Sequence, residues 1–539
     1  MSDRTYRIAL TIVYLLGVCA LLLQPLWAIL DPSFNGVMPY RGADESIYLI
    51  HLQEALLSWT ADATNGIWAG VHNTTGMQSA FMERMAGWLF GWTGLDATVV
   101  ALIVTALVGP TTMVLIALLL RKCGVSKLQS IAGGIFFFIL IALTRRFFNP
   151  SVSLPLLLLA LWLMWRWWDS QKIRDALLLG VVLGCHAGVY FWSWTFTWAC
   201  FGLLFLFILD QYKEPGFRQR IMQYFVAGIT SLLFAAPHLW KTYTNAHHPL
   251  FPESSLRMGL LYAREFESPP RSFFLVLLAA GTFFALRKKE DRRRYAPLIC
   301  MAVASFVVMH QQFVHGRIMS FSSHYYFYIT ATSLLVLACF LVRRKMNPGT
   351  IIASIASLVF LAGAAHDYYG RIGVVTPVGD FAMRFQYLSP LITELKAGPR
   401  ENILTDRATA NLIASTTDDD VVFTDYCRIL LVSNQEYIER FCLSEALKKG
   451  PINTEYIPTF NEEKSRAGRE ATLGHTDMMR SMTEEICPKV DGDIPAYLGK
   501  YEVSTVLWNI NEQPDWDTNQ EYLELRSEGD GWKLYDVRP

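Results

Sequence analysis

The sequence predicts a polytopic α-helical membrane protein that ends in a separate α/β domain. Apolar stretches, each long enough to approach the ~20 residues that a helix needs to cross a bilayer, recur from Arg7 to about Asp367 and then stop. Hydrophobic residues make up 52% of the 539, and they are concentrated rather than spread. Basic residues fall mainly in every second loop between the stretches.

The stretches cover 8–30, 97–120, 129–143, 151–168, 175–190, 191–209, 221–240, 272–287, 295–310, 325–342 and 350–366, about eleven spans in all. The first follows Arg4 and Arg7, is long, and lacks a small-x-small cleavage site, so it reads as an uncleaved signal anchor. With the N-terminus inside, the inner loops carry Arg121, Lys122 and Lys127; Arg166, Lys172 and Arg174; Lys213, Arg218 and Arg220; Arg287 through Arg294; and Arg343 through Lys345. Arg145 and Arg146 fall outside and break the pattern. An odd number of spans places the last domain outside. The expected organisation is a transmembrane domain over 1–367, containing a first external loop at 31–96, and a soluble domain over 368–539. The expected location is the inner (plasma) membrane, with a cytoplasmic N-terminus and an extracytoplasmic C-terminal domain. A net charge of zero argues against nucleic acid as a partner.

In the first external loop, Ser46–Ser58 and Met77–Phe90 space apolar residues as amphipathic helices do. Trp59, Trp68, Trp88 and Trp92 are interleaved with them, which predicts helices lying in the membrane interface. Other external loops are Lys241–Arg271 and Gln311–His324. In the last domain, strands are expected at Val421–Thr424, Ile429–Val432, Val503–Trp508 and Trp532–Val537. Helices are expected at Gln386–Lys396, Asp406–Ile413 and Glu436–Lys448. Asp418-Asp419-Asp420 reads as a solvated turn, and Glu462–Glu485 as an exposed helix or a loop. Cys19, Cys185, Cys200, Cys300 and Cys339 fall inside spans as buried thiols. Cys427, Cys442 and Cys487 are odd in number, so the last domain holds at most one bridge, and no C-x-x-C metal signature is present.

Two places carry residues suited to chemistry. Asp44 and Glu45 stand where a glycine-containing loop gives way to a helix. There they serve either as an N-terminal cap or as a general base or metal ligand facing a cleft. His310, Gln311, Gln312, His315 and Arg317, followed by His324, gather at an external membrane boundary. Arginine presents a planar fork to phosphate oxygens and histidine adds a donor, so a lipid-phosphate site is one reading. An interfacial loop at headgroup depth is another. A zinc site from His310, His315 and His324 is a third, although the spacings match no standard signature. His247, His248 and Glu253 either close the same cleft or belong to a flexible loop. His51, His186 and His238 are isolated. Arg145 and Arg146, near Asn149 and Pro150, either snorkel to headgroups or meet a phosphate. Asn73-Thr74-Thr75 reads as a glycosylation sequon.

Taken together, the pattern resembles the C-type (GT-C) superfamily of polytopic membrane glycosyltransferases, nearest to its mannosyltransferase-like and uncharacterised bacterial branch. The resemblance rests on the topology, on Asp44-Glu45-Ser46-Ile47-Tyr48-Leu49, and on the stretch from Gln311-Gln312 through Gly316-Arg317 to His324-Tyr325. It implies transfer of a sugar from a polyprenyl-phosphate donor to a glycan, lipid or protein acceptor on the outer face. It further implies that Asp44, with Glu45, acts on or orients the acceptor. Arg317 and His324, with His315 and Gln312, would hold the donor phosphate. The oligosaccharyltransferase Trp-Trp-Asp signature is matched in letters only by Trp167-Trp168-Asp169, which precedes Ser170 on the expected inner side. No cofactor is therefore fixed, and a divalent cation stays open. The alternatives are a transporter or flippase of lipid-linked glycans and a non-catalytic membrane assembly protein.

Overall fold

The computed structural model describes residues 1–38, 43–58, 69, 80–142, 151–262, 264, 266, 268–318, 322–343, 347–372, 383–449 and 466–538. Arg145, Arg146, Asn149, Pro150 and the Asn73 sequon lie outside the described residues. The chain forms two compact units. The first comprises Met1–Leu23, Val104–Lys241 and Ala263–Thr376; the second comprises Gln24–Ile103, Thr242–Tyr262 and Pro377–Pro539. The second unit thus combines the first external loop and residues 242–262 with the C-terminal residues.

The helices in chain order are α1 (Asp3–Ile29), α2 (Ala43–Leu57), α3 (Phe81–Phe90), α4 (Ala97–Val108), α5 (Thr111–Lys122), α6 (Lys127–Ala142), α7 (Ser153–Ser170), α8 (Ile173–Val189), α9 (Phe191–Leu209), α10 (Phe217–Ala246), α11 (Phe251–Arg257), α12 (Pro269–Ala285), α13 (Lys289–Met309), α14 (Gln312–His315), α15 (Tyr326–Arg343) and α16 (Pro348–Ile372). Among the described residues, each expected apolar stretch is helical over most of its length. The stretch at 97–120 is interrupted at Gly109-Pro110, where proline has no N–H to continue the ladder, and it divides into α4 and α5. Among the described residues, six helical stretches are long and apolar enough to cross a membrane: Asp3–Ile29, Ala97–Lys122 (α4 with α5), Phe191–Leu209, Phe217–Ala246, Tyr326–Arg343 and Pro348–His366. Helices α6 and α12 are apolar but shorter. The outer face of α10 is Met222, Phe225, Ile229, Leu232 and Leu233, all exposed, as a lipid-facing surface requires. Cys200, Cys300 and Cys339 are buried as expected, whereas Cys185 is half-buried and Cys19 is exposed on its helix.

In the first unit, the basic loops expected on one side do lie at one end of the helices, linked by ion pairs and hydrogen bonds. Lys122 pairs with Asp169 at 2.6 Å, and Arg166 with Asp175 at 3.2 Å. The Trp168 indole N–H donates to the Arg293 carbonyl at 2.5 Å. Glu214 pairs with Arg293 and Lys289, Asp210 with Arg292, and Asp291 with Arg343. Lys127 reaches Asp3. Trp167-Trp168-Asp169 therefore belongs to this charged end.

Helix α8 meets α10 through a stripe of glycines at four-residue spacing. A Cβ at Gly180 would come within 2.5 Å of the Ala227 carbonyl, and one at Gly184 within 2.5 Å of the Ser231 carbonyl. One at Gly188 would lie 2.3 Å from the His238 ring. Small residues let helix backbones approach where lipid supplies no hydrophobic drive between them. Gly184→Leu is expected to destabilise the first unit by about 1–3 kcal/mol, the usual cost of overpacking. A lowered unfolding midpoint in detergent checks this, and an unchanged midpoint would refute the packing role.

The second unit holds α17 (Ser389–Ala397), α18 (Arg407–Thr416), α19 (Asn434–Glu445), α20 (Arg466–Gly492) and α21 (Ile494–Lys500). Its sheet is built from β1 (Asn402–Leu404), β2 (Asp420–Val421), β3 (Thr505–Asn509), β4 (Leu523–Gly529) and β5 (Trp532–Val537), in the order β2-β1-β3-β5-β4. Strand β1 pairs in parallel with β2 and β3, while β5 is antiparallel to β3 and β4. Ile403, Leu404, Val506, Leu507 and Leu534 form the buried centre. Two expectations are corrected here. Ile429–Val432 is not a strand: a 3-10 turn over Asp425–Ile429 runs into irregular backbone held by hydrogen bonds to Arg257. The polar stretch before Cys487 is helical, and α20 buries Met479, Thr483, Ile486 and Val490 rather than standing exposed. Its Cys487 is bridged to Cys442 of α19, leaving Cys427 as a buried thiol.

The first external loop also departs from expectation. Helix α2 does not lie in an interface, because it is buried on nearly every side, Glu45, Ser46, His51, Gln53 and Glu54 included. Partners far along the chain explain this. Arg400 binds Glu54 at 3.0 Å and Asp420 at 2.6 Å, and Gln53 donates to Asp418 at 3.0 Å. Asp419 is buried and accepts the Glu401 N–H at 2.9 Å, so the acidic triplet is a docking point rather than a solvated turn. Helix α3 keeps the amphipathic character read for it. Ala86 and Gly87 pack inward, with Gly87 against the Ala55 carbonyl, and Met85, Trp88, Leu89 and Trp92 face outward, Trp92 being 83% exposed.

Candidate functional site

The opposite end of the first unit's helices gathers donors and aromatic rings. The chain leaves α8 at Val189, passes Tyr190 in extended conformation, and enters α9 at Phe191. Tyr190 hydrogen-bonds His324 Nδ1 through its hydroxyl, and the two rings stack with centroids 5.7 Å apart. Trp192 lies 4.8 Å from the same imidazole. With the phenol donating into Nδ1, the ring proton of a neutral His324 is on Nε2. Tyr325 is fully buried and joins three segments: its hydroxyl meets Thr195 at 2.6 Å and accepts from Gln311 Nε2 at 2.9 Å. Burial pushes its phenol up, so it remains protonated.

The loop after α13 is equally constrained. His310 Nδ1 faces the Phe306 carbonyl at 2.6 Å, which only accepts, so that nitrogen carries the proton. Its Nε2 lies 2.7 Å from the Ser272 hydroxyl, which itself donates to the Ser268 carbonyl at 3.0 Å. His310 is thus held within the protein and makes no metal site with His315 and His324. Gly316 ends α14 at a positive φ of 78°, donating to the Gln312 carbonyl at 2.8 Å. This turn presents Arg317 at the surface, while its backbone N–H donates to His315 Nδ1 at 3.2 Å. Burial, with the Arg317 charge beside it, pulls the His315 imidazole below its ordinary range, so it is neutral at pH 7. Gln312 is buried. Arg271, at the start of α12, bonds Tyr326 and lies 4.8 Å from the centre of its ring.

The fold places His324 against Tyr190 and Trp192 and joins Gln311 to Tyr325, with Gln312, His315 and Arg317 on the turn that follows Gln311. Sequence reasoning missed Tyr190, Trp192, Thr195 and Ser272. The signal for Tyr190 was present: a run of aromatic residues marks the junction of two apolar stretches. His238 was read as isolated, but its ring packs on Gly188, two residues before Tyr190.

Asp44 and Glu45 fall in the first turn of α2, in the second unit. The Asp44 side chain lies outside what the structure describes; Glu45 is buried. His247, His248 and Glu253 belong to the same unit and bond to nearby or docked backbone. His247 Nδ1 meets the Tyr243 carbonyl at 2.8 Å, and His248 Nδ1 accepts the Leu250 N–H at 3.2 Å. Glu253 accepts the Asn434 N–H at 2.5 Å and thereby caps α19. Among the described residues, no three His, Cys, Asp or Glu side chains assemble as a metal site.

Glu83 is a further acid that sequence reasoning passed over. It is 3% exposed on α3, and burial pushes its carboxyl from 4.5 up to about 7. Buried acids titrating near neutrality cluster at functional sites. Because the folded pKa lies above the unfolded one, the penalty is absent below about pH 4.5, grows as pH rises toward 7, and is then constant at about 3 kcal/mol. Glu83→Gln is expected to stabilise the protein by roughly that amount at pH 8 and by nothing at pH 4. Denaturation curves at the two pH values measure it, and equal shifts at both would contradict the buried-acid reading.

The chain matches no protein-family model and no curated protein. Several solved structures are similar to it in outline. The Archaeoglobus fulgidus oligosaccharyltransferase tethered with an acceptor peptide containing the NVT sequon aligns at 12% identity and a TM-score of 0.46, covering 95% of this chain and 70% of that one. The A. fulgidus oligosaccharyltransferase AglB in complex with an inhibitory peptide and a dolichol-phosphate aligns at 12% identity and 0.45, covering 94% and 69%. ArnT from Cupriavidus metallidurans bound to undecaprenyl phosphate aligns at 14% identity and 0.41, covering 97% of both chains. At this level of similarity no residue role passes from those proteins to this one, and the site rests on this chain's own side chains.

Proposed function

We propose that this protein is a GT-C-type membrane glycosyltransferase that moves a sugar from a polyprenyl-phosphate donor to a glycan, lipid or protein acceptor on the extracytoplasmic side. The observation that supports the reading is His324 held against Tyr190 beside a Gln311 that bonds Tyr325, with His315 and Arg317 on the next turn of chain, at the end of the helices opposite the ion-paired basic loops. In the reaction, an acceptor heteroatom attacks the anomeric carbon and the bond from that carbon to the phosphate oxygen breaks. Polyprenyl phosphate leaves with the bonding electrons, and the acceptor proton passes to Asp44. Charge develops on the departing phosphate, where fixed donors have their largest effect. The Arg317 guanidinium and His324 Nε2–H are the donors of choice, with Gln312 and His315 as supports. Glu45 holds the start of α2 behind Asp44.

The sidedness of the reading has independent support. Disulfides persist in oxidising compartments, and the C-terminal residues hold the Cys442–Cys487 bridge. That agrees with a multi-pass protein of the inner (plasma) membrane whose N-terminus is cytoplasmic.

The test is direct. The full-length protein in nanodiscs is incubated with polyprenyl-phosphate monosaccharides and envelope glycolipid, glycan or peptide acceptors, and products are read by mass spectrometry. Envelope lipids and glycans of a deletion strain name the sugar. The same assay with EDTA tests a divalent cation as a further component. Donor movement across vesicles with no covalent product would replace the reading with a flippase.

A further inference from the structure

The segment that carries His324 is held by the junction of α8 and α9, and two consecutive residues take part. The Tyr325 hydroxyl meets Thr195 of α9 at 2.6 Å. The His324 imidazole meets Tyr190, hydroxyl to Nδ1, with the two rings inclined by only 16° and their centroids 5.7 Å apart. Trp192 closes a second side of the imidazole, its ring tilted at 58°. His324 is half-buried, so part of its ring reaches solvent.

Tyr190 is itself fixed through its backbone. It stands in extended conformation, with φ −162° and ψ 122°, between the two helices. Its N–H donates to the His186 carbonyl at 3.4 Å, and its carbonyl accepts the Trp194 N–H at 3.0 Å and the Ser193 hydroxyl at 2.9 Å. The Trp198 indole N–H of α9 donates to the Leu183 carbonyl of α8 at 3.2 Å, which holds the helices together beside the junction. A residue anchored on both sides presents its hydroxyl in one place. Packing explains an aromatic ring here but not the hydroxyl, because phenylalanine stacks as well as tyrosine does.

A neutral imidazole has one ring proton, and the hydrogen bond made at one nitrogen decides which nitrogen carries it. We infer that Tyr190 is a positioning residue for His324: its hydroxyl donates into Nδ1, fixes the ring and leaves the proton on Nε2 for the departing phosphate. This role rests on the sugar-transfer reading, and it names the residue that readies His324 within it. The role is visible in pH. Protonated His324 carries an N–H at both nitrogens, and the phenol then accepts from Nδ1–H, so the choice of tautomer no longer matters. The hydroxyl is needed when His324 is neutral and dispensable when it is charged. The titratable and charged groups on the neighbouring segments are Tyr325 beside it, Tyr326 of α15 with Arg271 of α12, and His310, His315 and Arg317 after α13. Of these, His315 is already neutral at pH 7.

Full-length Tyr190→Phe in nanodiscs keeps the ring and loses the hydroxyl, and its melting temperature is expected to match the parent's. Solid-state NMR of protein carrying isotope-labelled histidine, with His324→Gln identifying the His324 signals, should place the ring proton on Nε2 in the parent and spread it over both nitrogens in the variant. For sugar transfer at pH 8, kcat should fall about tenfold, the loss of one hydrogen bond, with KM for the acceptor unchanged. The deficit should close toward pH 5 as the imidazole protonates. A variant whose His324 signals match the parent's would overturn the positioning role. So would a deficit of equal size at both pH values, which is what lost packing gives. A parent without turnover at either pH would instead strike the sugar-transfer reading, and the spectra would then decide by themselves whether Tyr190 sets the tautomer.

Discussion

Asp44→Asn is expected to leave the protein folded and to lower sugar transfer by about 10²–10⁴-fold, the range that a positioned general base supplies. The substitution separates two roles that one carboxylate can play. Asparagine caps a helix as well as aspartate does, so the start of α2 should hold. Only the proton acceptor is lost. Arg317→Ala probes the other end of the reaction. Its side chain is exposed beyond the Gly316 turn, so truncation removes little packing. Loss of one donor to the developing charge is expected to cost about 10²–10³-fold in kcat. Melting curves beside the rates make the outcomes distinct. Parental turnover by both variants would reject the assigned roles. Lost turnover by Asp44→Asn with a lowered melting midpoint would leave Asp44 as a cap alone.

The helices were legible because span length and hydropathy are local properties. The alternation of basic loops was legible for the same reason, and the contacts Lys122–Asp169 and Asp291–Arg343 join loops that the alternation places together. Features that rest on contacts distant in sequence were not. Helix α2 carries an amphipathic pattern, yet Arg400, lying 346 residues beyond Glu54, draws its polar side into the protein. Strand β1 is only three residues long, too short to show a period, and β4 is polar because it lies at the sheet edge. The glycines of α8 read as weak helix positions until Ala227 and Ser231 are seen against them.

The candidate site divides in the same way. Arginine, histidine and glutamine crowded into 310–324 are conspicuous by type. Tyr190, Thr195 and Ser272 are ordinary residues that acquire a role only when the helices align, Tyr190 meeting His324 across 134 positions. Glu83 was hidden for another reason. Beside Arg84 on an amphipathic helix it reads as a surface charge, and nothing local reports its burial.

Arg257→Ala is expected to destabilise the second unit by about 3–5 kcal/mol, from hydrogen bonds to a charged group worth about 1.5–3 kcal/mol each and the buried acceptors they leave behind. Arg257 is fully buried on the seven-residue helix α11. Its guanidinium donates to Asn434 Oδ1 at 2.6 Å, to Ser254 Oγ at 2.8 Å, and to the Leu430 and Val432 carbonyls at 3.0 and 2.8 Å. It also lies 5.1 Å from the centre of the Tyr437 ring. These bonds hold irregular backbone where the sequence shows a strand-like apolar run, so their loss takes the guanidinium donor from the Val432 carbonyl and leaves the Leu430 carbonyl with the Ser254 hydroxyl at 2.7 Å. Lysine should not rescue, because a point donor cannot reach the groups that a planar fork spans. A pH signature distinguishes this network from simple packing. Burial, with the Arg257 charge adding to it, holds the His475 imidazole at about 4, below its ordinary 6.5. The folded pKa is the lower one, so stability is lost as pH falls from 6.5 toward 4, where only the unfolded chain takes up the proton. Removing the guanidinium takes away part of that depression, so Arg257→Ala should lose less stability over the same interval than the parent does. Chemical denaturation at pH 7 and pH 4.5 reads both effects, and an equally steep loss in the variant would show that Arg257 does not act on His475.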